Sequence, residues 1–105
     1  MGLLAKVHSR TDENGKTITV VAVCDKRLIN KVLETGDCVL DLKTYASFYS
    51  GAEVSEAEAV QLIKSAGNVN IVGKKALAAA RKAFEIDEGN VLTIGGEPHL
   101  QVYLI

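Results

Sequence analysis

Cys24, Asp25 and His99 are the residues whose types best suit them to chemistry in this chain. Cys24 precedes Asp25 at a point where a strand is expected to meet a helix. A thiol at a helix N-terminus is favoured as thiolate by the positive end of the dipole. Paired with His99 or His8 it would make a nucleophile and base. The competing reading is a small buried thiol beside a capping aspartate, since no local signature of a cysteine enzyme surrounds Cys24. His99 closes the run Gly95-Gly96-Glu97-Pro98-His99. Its glycines either let backbone approach a ligand or simply make a turn. Cys24, Cys38, His8 and His99 match no closed zinc pattern, so neither metal nor cofactor is expected.

A second group is electrostatic. Lys74, Lys75, Arg81 and Lys82 fall on one segment. The pairs Lys74/Arg81 and Lys75/Lys82 are seven apart, which puts them in adjacent stripes of a helix. Such a face suits a phosphate or an RNA backbone, or is a solvated face opposite a core stripe. Gly73-Lys74 is not a phosphate loop, because the upstream glycine spacing and a following Ser or Thr are missing. Net charge is −1, from twelve Lys+Arg against thirteen Asp+Glu, which excludes a uniformly basic nucleic-acid coat.

The elements that position these residues follow from pattern. Residues 3–9 and 16–24 alternate as strands, with Asn14-Gly15 between them as a two-residue hairpin turn. That register sets Val7 opposite Ala22 and Ala5 opposite Cys24. Asp25 then caps a short helix over 26–34, with Leu28, Ile29, Val32 and Leu33 on one face and Gly36 as its stop. Cys38–Leu42 reads as a strand. Residues 43–51 carry Tyr45, Phe48 and Tyr49 at near-helical spacing and give no clear assignment. Ser55-Glu56-Ala57-Glu58 is a capping box. The helix it opens, to about Ala66, buries Ala59, Leu62, Ile63 and Ala66. A second helix, Lys74–Phe84, buries Leu77, Ala80 and Phe84. Residues 90–94 and 99–105 form a closing hairpin.

The whole is read as one α+β domain over 1–105. Its form is a two-layer sandwich with a four- or five-stranded, mostly antiparallel sheet and two main helices on one face. Hydrophobic residues at 48% and charged residues at 24% suit a globular domain with an aliphatic core, there being no Trp and few aromatics. No apolar run reaches a membrane span of about 20 residues, so no membrane partner is expected. The early Lys6 argues against a signal peptide. A cytoplasmic setting is expected, with both cysteines reduced and buried.

Four segments taken in order carry a resemblance: Val21-Ala22-Val23-Cys24-Asp25, Ser47-Phe48-Tyr49-Ser50-Gly51, Asn70-Ile71-Val72-Gly73, and Ile94-Gly95-Gly96-Glu97-Pro98-His99-Leu100-Gln101. Together they resemble the small archaeal proteins of domain-of-unknown-function family 424, over nearly the whole chain. The chain departs from that pattern at Ser50, where a second glycine is expected, and in a longer hairpin from Ser9 to Lys16. The resemblance implies an archaeal cytoplasmic protein with a two-layer α+β fold, and no activity. It marks Cys24, Asp25, Tyr49, Gly73, Gly95, Gly96 and His99, all at element ends or in turns, where sites are commonly held. Three functions stay open: a non-catalytic module binding RNA or a protein partner in information processing, a small enzyme using Cys24 with His99, and a structural or oligomerising subunit. The first is preferred because acid–base residues are sparse and unclustered.

Overall fold

The aliphatic run Val21–Cys24 belongs to a strand stretch covered on both faces. In the computed structural model, which describes residues 2–103, β1 (Leu3–Thr11) and β2 (Thr17–Asp25) form an antiparallel hairpin. After a 3-10 turn at Lys26–Leu28 come β3 (Val32–Thr35), β4 (Cys38–Asp41), the one-turn helix α1 (Ala46–Tyr49) and β5 (Ala52–Val54). Helix α2 (Glu56–Ser65), β6 (Asn68–Val72), helix α3 (Lys74–Ala83), β7 (Leu92–Ile94) and β8 (Glu97–Tyr103) complete the order. The main sheet has six strands in the order β5-β1-β2-β6-β8-β7. All its pairings are antiparallel except β2 with β6. It therefore exceeds the four or five strands expected, because β5, three residues long, is too short to carry a period.

Helices α2 and α3 share one face, as expected. Val21, Val23, Val69, Ile71 and Leu100 meet Ala59, Ile63, Ala76, Leu77 and Ala80 there. Alternate residues of the same strands point the other way, since successive side chains of a strand face opposite sides. On this far face Ala22, Cys24, Val72 and Ile94 are covered by Leu28, Leu33, Leu42 and Tyr49. The β3–β4 hairpin and α1 thus add a partial third layer to what the sequence suggests as two.

The expected helix over 26–34 does not form. Asn30 adopts φ 69°, which ends any helix there, and its N–H donates to Leu42 O at 3.0 Å. Val32–Thr35 instead pairs with Cys38–Asp41 across Gly36-Asp37. The first hairpin is also one residue out of the expected register, with Val7 opposite Val21 and Ala5 opposite Val23. Asp12 causes this. Its carboxylate accepts N–H bonds from Asn14 and Lys16, both at 2.9 Å, and Gly15 takes φ 78°. The loop holds three residues closed by an Asx turn, which displaces the two-residue Asn-Gly turn. The capping box forms as expected: Ser55 Oγ accepts from Glu58 N–H at 3.1 Å and Glu58 accepts from Ser55 N–H at 3.0 Å.

Candidate functional site

The end of β2 runs beside the end of β6, and this brings Asp25 against the start of α3. Asp25 is 1% exposed and its carboxylate accepts from Lys75 N–H at 3.2 Å and Ala76 N–H at 2.8 Å. It caps α3 from another strand and makes no side-chain cap on the 3-10 turn that follows it. Gly73 opens α3 with φ 106°, and a Cβ there would lie 2.3 Å from Asp25 Cγ. Arg27 holds both carboxylates of this corner, at 3.6 Å from Asp25 and through paired bonds of 3.1 and 2.8 Å to Glu97. Gly95-Gly96 is the turn between β7 and β8, anchored by Gly95 N–H donating to Thr35 Oγ1 at 2.7 Å. These contacts give Asp25, Gly73 and Gly95 packing roles.

Cys24 and His99 share one row of the far face, with Val72 between them on β6. Two strand spacings separate them, roughly 10 Å. Cys24 is fully buried, and burial, reinforced by Asp25, pushes its thiol up to about 12. A protonated, enclosed thiol is not a nucleophile at neutral pH. Cys38, expected to be buried, is exposed on β4; both cysteines are free. His99 is half-buried, and burial lowers its pKa below the usual histidine value. Its Nε2–H donates to Asn70 Oδ1 at 3.2 Å, and Tyr49 O–H donates to the same oxygen at 2.7 Å. Tyr49 and His99 are thus brought together on a buried amide in the central strand, an arrangement that neutral rings satisfy. Asn70 carried no signal in the sequence beyond a polar residue in a β-branched run.

The four cations of α3 are exposed, but two are spent on ion pairs. Arg81 makes bonds of 3.1 and 2.5 Å to Glu88, and Lys82 pairs with Glu56 of α2. Lys74, Arg81 and Gly96 do line one shallow depression of about 330 Å³ with Thr93 and Pro98. Its basic character rests on Lys74, which lies in the field of Glu97. Lys75 lies beside Gly2, away from this depression. Among the described residues no cluster of His, Cys, Asp and Glu has the makings of a metal site.

A different surface emerges where the partial third layer stops. Beyond α1 the far face of the sheet is uncovered. His8, Val20, Asn68 and Tyr103 form one row across β1, β2, β6 and β8, and Arg10 with Ile18 begins the next. These residues, with Ser9 and Phe48, line a pocket of about 320 Å³. The His8 ring stacks on Phe48 at 4.3 Å and 11°, and its Nε2–H donates to Phe48 O at 2.8 Å. No carboxylate lines this pocket. The carboxylates that follow β1, Asp12 and Glu13, share a separate depression with Arg10 at the hairpin turn, where Asp12 is occupied by its own turn. Sequence reasoning weighed His8 as a partner for a thiol and in a rejected zinc set, and did not single out Arg10, Phe48 or Tyr103 as site residues. The signal available was the alternation His8, Arg10 on one side of β1.

A family model described as a protein of unknown function (DUF424) matches residues 10–105. The chain belongs to the DUF424 family. The match takes in β2 through β8 and so includes both the Asp25–Gly73 corner and most of the open-face pocket. A crystal structure of an uncharacterized conserved protein from Methanopyrus kandleri is similar to this family member. They share 24% identity, with 100% of this chain and 93% of that chain covered at a TM-score of 0.82. At that identity the likeness speaks to the fold, and the two share it. No curated protein matches the chain. No helix of the described residues is long and apolar enough to cross a membrane.

Proposed function

We propose that the protein is a non-catalytic RNA-binding module whose ligand surface is the uncovered half of its sheet. The observation that carries this reading is the make-up of that surface. Aromatic rings at Phe48 and Tyr103, the His8 imidazole and the Arg10 guanidinium surround an apolar floor without a carboxylate. Rings offer stacking to bases of any sequence, and a guanidinium offers charge to phosphate. The enzyme reading loses its nucleophile to burial at Cys24. The α3 face, on which a basic reading first centred, is weaker because Glu88 and Glu56 engage Arg81 and Lys82. A cytoplasmic setting belongs to the same proposal.

The test is a fluorescence anisotropy titration of a labelled mixed-sequence single-stranded RNA across a salt series. Affinity should fall as salt rises, because displaced counterions drive the binding. Arg10→Ala should bind more weakly and with a smaller salt slope. An Arg10→Ala protein that matches wild type in both would move the ligand surface elsewhere. An absence of RNA affinity at low salt would end the RNA reading.

A further inference from the structure

The open-face pocket has a shape that says more than affinity for phosphate. Its floor is the half-buried, apolar Ile18 and Val20, with the Asn68 amide between Val20 and Tyr103. Its ring walls are the His8–Phe48 stack and Tyr103, which is 59% exposed. Gln101 Nε2–H donates to the Tyr103 hydroxyl at 3.2 Å, so the exposed ring is tethered from its own strand. At about 320 Å³ the pocket sits at the small end of the roughly 300–1,000 Å³ of ligand pockets. That is room for a single planar group, too little for a folded partner. An apolar floor and ring walls demand a ligand with an exposed flat face. Arg10 in the lining, with Asp12 and Glu13 confined to a separate depression at the turn, favours negative charge beside that face.

We infer that this pocket takes one unstacked base of a single-stranded RNA, held between the His8–Phe48 stack and Tyr103, with Arg10 on an adjoining phosphate. The inference rests on the RNA-binding reading and deepens it. A duplex does not satisfy the pocket, since its base faces are already stacked and its displayed edges lie in grooves. A free nucleotide shares the chemistry but lacks neighbouring phosphates for charges beyond Arg10, such as Lys6 in the next row of β1. Gln101 is a positioning residue for Tyr103.

The experiment uses the full chain and a short single-stranded RNA carrying one 2-aminopurine, with anisotropy and fluorescence intensity read together. Wild type should change the 2-aminopurine intensity on binding. Tyr103→Ala, an exposed change that leaves the core intact, should weaken binding roughly fivefold or more and reduce the intensity change. Phe48→Leu should do the same, with circular dichroism to show that it folds. The same RNA annealed to its complement should bind more weakly than the single strand. Salt-dependent binding with unchanged 2-aminopurine intensity, and Tyr103→Ala equal to wild type, would overturn the base pocket and leave the RNA reading standing. Equal affinity for duplex, or saturation by a mononucleotide at the oligonucleotide's concentration, would also overturn it. No binding of any RNA would overturn both.

Discussion

Gly73 is the residue on which the corner between strands and helix turns. Its φ of 106° and the 2.3 Å approach of a built Cβ to Asp25 Cγ leave no room for a side chain. Gly73→Ala should therefore lower stability by about 2 kcal/mol or more. Asp25→Ala should cost about 1–2 kcal/mol through the lost cap. The double variant should be less unstable than the sum, because truncating Asp25 removes the Cγ and Oδ1 approaches to the new Cβ, leaving the contact with Asp25 Cβ at 2.7 Å and the positive φ. Urea denaturation of the three proteins checks this, and strict additivity would contradict it. Cys24 and Cys38 should separate cleanly under a thiol reagent. In the native protein Cys38 should react and Cys24 should not, until denaturant exposes it. His99 supplies a pH dependence. Above about 6.5 both folded and unfolded chains carry a neutral imidazole. As pH falls through that value the unfolded chain takes up a proton that the folded one resists. Stability should thus decline on acidification and level off below the lowered folded-state pKa. His99→Gln, which keeps a donor for Asn70, should flatten that decline, read from unfolding midpoints between pH 7 and 5.

Local signals at the scale of elements divide by how much tertiary competition they meet. The capping box of α2 forms as its sequence implies, since Ser55 and Glu58 satisfy each other within one turn. Ser55→Ala should cost about 0.5–2 kcal/mol, measurable as a lower denaturation midpoint with an unchanged slope. The segment 26–34 shows the opposite case. Leu28, Ile29, Val32 and Leu33 are spaced for a helix, yet Leu28 and Leu33 are buried against the far face by a hairpin. Hydrogen bonds from Asn30 and Leu42 decide the outcome, and they join residues that periodicity does not relate. Both main helices and the existence of the β1–β2 hairpin, though not its register, were legible because their information is local. The polar unit Tyr49–Asn70–His99 was not, because its members come from three elements and meet only when β6 pairs with β8.

At the scale of the whole molecule, one sheet is served by two unequal covers. Helices α2 and α3 bury one face, while the β3–β4 hairpin and α1 bury only part of the other. Most motif residues are packed on one side of the sheet or the other, Gly95 and Gly96 staying exposed in their turn, which is why the resemblance that marks them leads to packing: Asp25 to a helix cap, Gly73 to a close approach, Cys24 to a core thiol. The open-face residues His8, Arg10, Phe48 and Tyr103 come from β1, α1 and β8 and share no sequence motif, so only the sheet pairing makes them neighbours. The measurement that tests this account most directly is amide chemical-shift mapping by NMR during titration with single-stranded RNA. Shifts should concentrate on Arg10, Ile18, Val20, Asn68 and Tyr103, with the first turn of α3 little changed. Shifts concentrated instead on Lys74, Lys75, Arg81 and Lys82, or none at all, would contradict it.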